Sequence, residues 1–143
     1  MGKDYTIEDY LERPYWLIDI LPKQVPANGR GQYFEIEKFY LSGPQIELLY
    51  RKFANLLLKL NCYDDIAVCG NDEQWIDNPA PEVLAKWVMD RKPLHVLLKS
   101  ADAMIVARGD DLYMTLYGAN EETLLLVGTL ATAEGLFVWQ ADY

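Results

Sequence analysis

A chain of 143 residues sets the scale of one domain, and with 51% of them apolar or aromatic it holds ample core material, which excludes disordered and fibrous classes. Thirteen Lys and Arg against 22 Asp and Glu leave a net charge of −9. That is the wrong sign for a nucleic-acid binder, which needs a basic stripe to displace counterions from phosphates.

The longest nearly charge-free apolar stretch, residues 123–133, falls far short of the roughly 20 residues needed to cross a bilayer. Residues 1–13 are rich in charge and lack the apolar run of a secretory signal. Two cysteines, Cys62 and Cys69, are too few for a disulfide scaffold. Together these features predict a cytoplasmic chain with no membrane partner. The acidity is uneven: residues 1–60 carry eight acids and eight bases, whereas residues 100–143 carry seven acids and only Arg108. Such an excess keeps an apolar chain dispersed, and it also suits a basic partner.

In chain order, residues 4–12 predict a short amphipathic helix with Ile7, Tyr10 and Leu11 on one side, interrupted at Pro14. Residues 15–20, aromatic and β-branched, predict a largely buried strand, and residues 21–31 a loop punctuated by Pro and Gly. In residues 32–41, Phe34 and Ile36 alternate with Glu35 and Glu37, which favours a strand paired to the first. Residues 44–60 predict the clearest helix, with Ile46, Leu49, Tyr50, Phe53, Leu56, Leu57 and Leu60 on one stripe and Leu48 on the polar side.

Residues 66–69 read as a short strand and 81–89 as a helix. Residues 93–100 are taken as a further helical turn or two, since a short apolar run does not by itself separate helix from strand. The turn Arg108-Gly109-Asp110-Asp111 predicts a two-residue hairpin loop. Its register pairs Ala107 with Leu112, Ile105 with Met114 and Ala103 with Leu116 on one apolar face. Val106 then meets Tyr113 and Met104 meets Thr115 on the other. Asn120 is placed as the N-cap of a helix stopped by Gly135, with Gly128 allowing close packing on the sheet, and residues 136–140 form a last strand.

Catalytic signatures are missing. His95, the only histidine, sits between Leu94 and Val96, and a base–nucleophile role would require it to meet Cys62 or Cys69 in space. No glycine-rich phosphate loop or nucleophile elbow occurs. One histidine and two cysteines fall short of a zinc set, so no metal or other cofactor is expected.

Residues 64–82 contain Asp64, Asp65, Asp72, Glu73, Asp77 and Glu82 with no Lys or Arg. Their spacing matches no calcium loop, and Trp75 in their midst suits an interface anchor. Tyr113 and Tyr117, on the polar hairpin face, could join a contact surface or line a pocket. The candidate partner-binding residues are therefore Asp72, Glu73, Trp75, Asp77, Tyr113 and Tyr117.

The segment Tyr10-Leu11-Glu12-Arg13-Pro14-Tyr15-Trp16-Leu17-Ile18-Asp19-Ile20-Leu21-Pro22 resembles the opening of small uncharacterised proteins of anaerobic Gram-positive bacteria. The resemblance implies a bacterial origin and brings no activity, cofactor or site.

The expected fold is a single α+β domain with a mostly antiparallel sheet, helices packed on one face and a C-terminal hairpin–helix–strand unit. The expected order is β-β-α-β-α-β-β-α-β. The leading functional expectation is a non-enzymatic interaction module for a protein partner with a basic surface, such as an inhibitor, immunity-type factor or adaptor. The rival is a small-molecule binder or small enzyme whose closed, aromatic-lined pocket meets His95 or an acid. Homo-oligomerisation through residues 44–60 is a third possibility.

Overall fold

A computed structural model describes residues 7–27, 29–70 and 74–141. The elements are α1 (Ile7–Leu11), β1 (Tyr15–Asp19), α2 (Tyr33–Ser42), α3 (Gln45–Tyr63), β2 (Ile66–Cys69), β3 (Trp75–Asp77), α4 (Pro81–Met89), β4 (Leu94–Leu98), β5 (Ala103–Ala107), β6 (Tyr113–Tyr117), α5 (Glu121–Ala133) and β7 (Phe137–Trp139). The seven strands form one sheet in the order β3-β2-β4-β5-β6-β1-β7, antiparallel at every described pairing. The α+β class and the hairpin–helix–strand ending are as the sequence predicts.

Alternation along each strand sorts the side chains onto two faces. Ile66, Val68, Leu94, Val96, Leu98, Ala103, Ile105, Met114 and Leu116 point to the main core, where they meet Phe53, Leu56, Leu57 and Leu60 of α3, Leu84 and Val88 of α4, and Val127 and Ala131 of α5. The opposite face carries a smaller cluster of Ala67, Leu97 and Met104 under Tyr10 of α1. There the Tyr10 hydroxyl donates to Asp102 Oδ1 at 2.6 Å, and the Arg13 guanidinium lies 4.1 Å over the Tyr10 ring while donating to the Asp102 carbonyl. The short opening helix is thus tied to the turn between β4 and β5.

Several local expectations are met. The helix with the seven-residue apolar stripe forms, extended to Tyr63, with Leu48 left on the solvent side. The strand at 66–69 and the helix at 81–89 have the expected bounds. The Asn120 side chain accepts from the Thr123 backbone N–H at 2.8 Å, and Gly135 at the end of α5 takes φ +81°.

Four readings are corrected. Residues 33–42 are helix α2 and not a strand beside β1, whose two sides are taken by β6 and β7. Residues 94–98 are strand β4 and not helix. With β2 and β5 on its two sides, β4 presents apolar residues to both faces and its alternation is hidden.

The hairpin register differs by two residues: Ile105 faces Leu116, Val106 faces Thr115 and Met104 faces Tyr117. A shift of two preserves the faces, so Ala103, Ile105, Ala107, Leu112, Met114 and Leu116 all enter the main core as predicted. The side-chain pattern therefore chose the parity, and a longer loop chose the partners. Gly128 does not pack on the sheet; a Cβ added there would meet no atom within 4 Å.

Candidate functional site

The described partner-binding candidates, Trp75, Asp77, Tyr113 and Tyr117, do not gather into one surface. Asp72 and Glu73 lie outside the described residues. Trp75 is no loop anchor: it opens the edge strand β3, half-buried, and packs with the cluster around Leu97 and Met104. Asp77, two residues on, is exposed and ion-paired with Lys99 at 2.7 Å. Tyr113 and Tyr117 belong to β6, four strands from β3, which is roughly 19 Å at about 4.8 Å per strand. Tyr117 stacks at a tilt on Tyr15, with ring centroids 5.7 Å apart.

The neighbouring acids hold the fold together. Asp64 accepts from the backbone N–H groups of Ser100 and Ala101. Asp65 accepts from the Asn78 side-chain amide, whose own oxygen accepts from Ile66 N–H. These carboxylates tie the start of β2 to the end of β4 and to the residue after β3.

His95 and Cys69 are brought together. The two are paired across β2 and β4, in a row that runs Trp75, Cys69, His95, Val106, Thr115 on the α1 side of the sheet. Cys62 takes no part, its thiol turned back to the Leu58 carbonyl at the exposed end of α3. Burial pushes the His95 imidazole below its ordinary value, partly opposed by Glu8, so it is neutral at pH 7. The Cys69 thiol is buried and donates to the Gly70 carbonyl at 3.3 Å. A nucleophile needs an exposed sulfur activated by its base, and this pair has a shielded sulfur whose hydrogen is directed to backbone.

Tyr113 lines a small cleft of about 100 Å³ with Asp19, Tyr33 and Trp139, where a buried acid meets several aromatic rings. Burial raises the Asp19 carboxyl, although its Oδ1 accepts from Ile20 N–H at 2.7 Å and its Oδ2 from the Trp139 indole N–H at 3.2 Å. Both oxygens are engaged within the protein, and the volume is below the roughly 300 Å³ at which ligand pockets begin. Asp19 therefore secures the end of β1 against β7. A larger hollow of about 300 Å³ is lined by residues of β2, β3, α4 and the start of β4. Val68, Ile76, Trp87 and Leu94 line it, with Lys92 among the rim residues.

Among the described residues, the most exposed large apolar side chain is Phe34 on α2, the segment whose alternation reads as a strand. Phe34 is 79% exposed, Phe39 60% and Ile36 51%. No residue of α2 is fully buried; Tyr40 and Leu41 rest against the main core and hold the helix beside α3. Charges of both signs lie on α2 and beside it: Glu35, Glu37 and Lys38 on the helix, and Asp110, Asp111 and Arg108 at the hairpin tip. Asp111 is raised first by burial, then by Asp110, with Glu37 adding to the repulsion and Arg108 opposing it. Tyr33, at the start of α2, is also raised, by burial and then by Glu37 and Asp19. Helical periodicity at 33–42 was the only available sequence signal for this surface, and the Phe-Glu-Ile-Glu alternation masked it.

Among the described residues there is no cluster of His, Cys, Asp or Glu that could hold a metal ion, and no helix long and apolar enough to cross a membrane. Comparison with protein-family models, with curated proteins and with solved structures found no match.

Proposed function

We propose that the protein is a non-enzymatic interaction module that receives a basic protein partner on α2. The exposure of Phe34, Ile36 and Phe39 on one short helix carries this reading. Large apolar side chains rimmed by charge mark contact sites, because water leaves them favourably when a partner covers them. Glu35, Glu37, Asp110 and Asp111 outnumber Lys38 and Arg108 on and beside α2 and give the partner its sign. A Lys or Arg placed there relieves like-charge repulsion and speeds encounter.

The test is affinity capture from the native cell with the wild type and with a Phe34→Ser, Phe39→Ser double variant. Both positions are exposed, so the variant is expected to melt like the wild type. It should lose a basic partner that the wild type retains at low salt and releases at high salt. An unchanged set of captured proteins would overturn the assignment to α2.

The hollow beside Trp87 supports a second reading, a carrier for a small apolar carboxylate that meets Lys92. Titration with phenylacetate should then quench tryptophan fluorescence, and Lys92→Gln should weaken binding about tenfold. An unchanged spectrum across the titration removes this reading.

A further inference from the structure

Helix α5 is unlike the rest of the surface of this acidic chain. From Thr123 to Ala133 it carries no charge, yet Leu125 is 73% exposed on its outer side. The neighbouring threonines add little polarity. Thr129 Oγ1 donates to the Leu125 carbonyl and Thr132 Oγ1 to the Gly128 carbonyl, both at 2.8 Å, so these hydroxyl hydrogens are spent on the helix's own backbone.

Leu125, Gly128 and Thr129 of this ridge line a hollow of about 620 Å³ together with Trp16, Phe137 and Val138, and none of its nine lining residues is charged. An apolar ridge next to an apolar hollow is self-complementary. A two-fold axis between two copies can set each ridge into the other's hollow, as an isologous contact requires.

Charge selects the occupant. Two chains of net charge −9 repel at most approaches, and a charge-free face removes that obstacle. The ends of α5 then differ in sign. Glu121 and Glu122 occupy its first turn, while Lys52 lies at its last, close enough that a Cβ on Gly135 would be 3.3 Å from Lys52 Nζ. Lys59 and Glu134 there form an ion pair and cancel, so Lys52 sets the sign of this end. An antiparallel crossing centred near Gly128 brings the acidic end of one α5 to the basic end of the other.

We infer that the protein forms a two-fold dimer through antiparallel α5–α5 packing, on a face separate from α2. Sedimentation velocity on the full chain, from low to high micromolar concentration, should show the mass rising to twice the monomer. L125E, which alters an exposed position, should keep the wild-type circular dichroism spectrum and weaken dimerisation about tenfold or more. K52E should weaken it severalfold, and adding E121K to the same chain should restore it. A wild type that stays monomeric, or an L125E variant that dimerises as well as wild type, overturns the proposal. Loss of the dimer on Phe39→Ser with L125E unaffected moves the interface to α2 and also overturns it, and failure of E121K to rescue K52E overturns the antiparallel arrangement.

Discussion

Replacing Gly109 with alanine is expected to destabilise the fold by about 3 kcal/mol or more, through backbone strain together with steric overlap. Gly109 takes φ +87°, where an L side chain is strained, and its Cβ would fall 2.1 Å from the Arg91 carbonyl oxygen. That oxygen cannot easily retreat. Arg91 is itself left-handed at φ 59°, locked at the end of α4 by Arg91 N–H donating to Val88 and Lys92 N–H to the Trp87 carbonyl. Either the hairpin tip or the α4 terminus must shift.

The tip is also an anchor for α3, because the Tyr50 hydroxyl donates to the Asp111 carbonyl at 2.8 Å. Burial pushes that hydroxyl's pKa up to about 12, so it stays a donor throughout the neutral range. Gly29 is the control. It has φ +78° but nothing within 4 Å of an added Cβ, so Gly29→Ala isolates the conformational cost at about 1 kcal/mol. Urea unfolding of both variants measures the difference; equal midpoints would show that the Arg91 contact contributes nothing.

Phe53→Ala should cost about 3–5 kcal/mol, the usual loss when a large buried ring leaves a cavity. Phe53 has no exposed surface and stands edge-on to Tyr50, with ring centroids 5.1 Å apart, in the core that joins α3 to the sheet, α4 and α5. Domains of this kind are stable by roughly 5–15 kcal/mol, so this single change removes a large share of that margin. Leu48→Ala, on the opposite side of the same helix and 58% exposed, should move the midpoint by no more than about 0.5 kcal/mol. If the two variants unfold at the same urea concentration, the assignment of the buried stripe on α3 is wrong.

Much of the architecture was legible where the deciding interactions are local. The i, i+3, i+4 stripe from Ile46 to Leu60 defines α3 because those side chains share one side of a 3.6-residue helix. Asn120 announces α5 because its oxygen can satisfy an N–H that lacks an intrahelical partner. The candidate site was far less legible. Trp75 and the acids from Asp64 onward suggested an exposed loop, but Trp75 pairs across from Cys69 and two of the acids are consumed by backbone and amide donors. A residue's chemistry is visible in the sequence; its partners are not.

What the sequence determined by itself was therefore the class, the buried stripe of α3 and the parity of the hairpin, since helical and strand periodicity act over a few residues. Tertiary structure decided the rest. It made β4 a strand by giving it two neighbours, and set β6 and β7 on the two sides of β1, with residues 33–42 a helix. It lengthened the hairpin loop by carrying the tip to Tyr50 and Arg91. It also left Phe34, Phe39 and Leu125 in water, because exposure depends on which neighbours arrive from far along the chain.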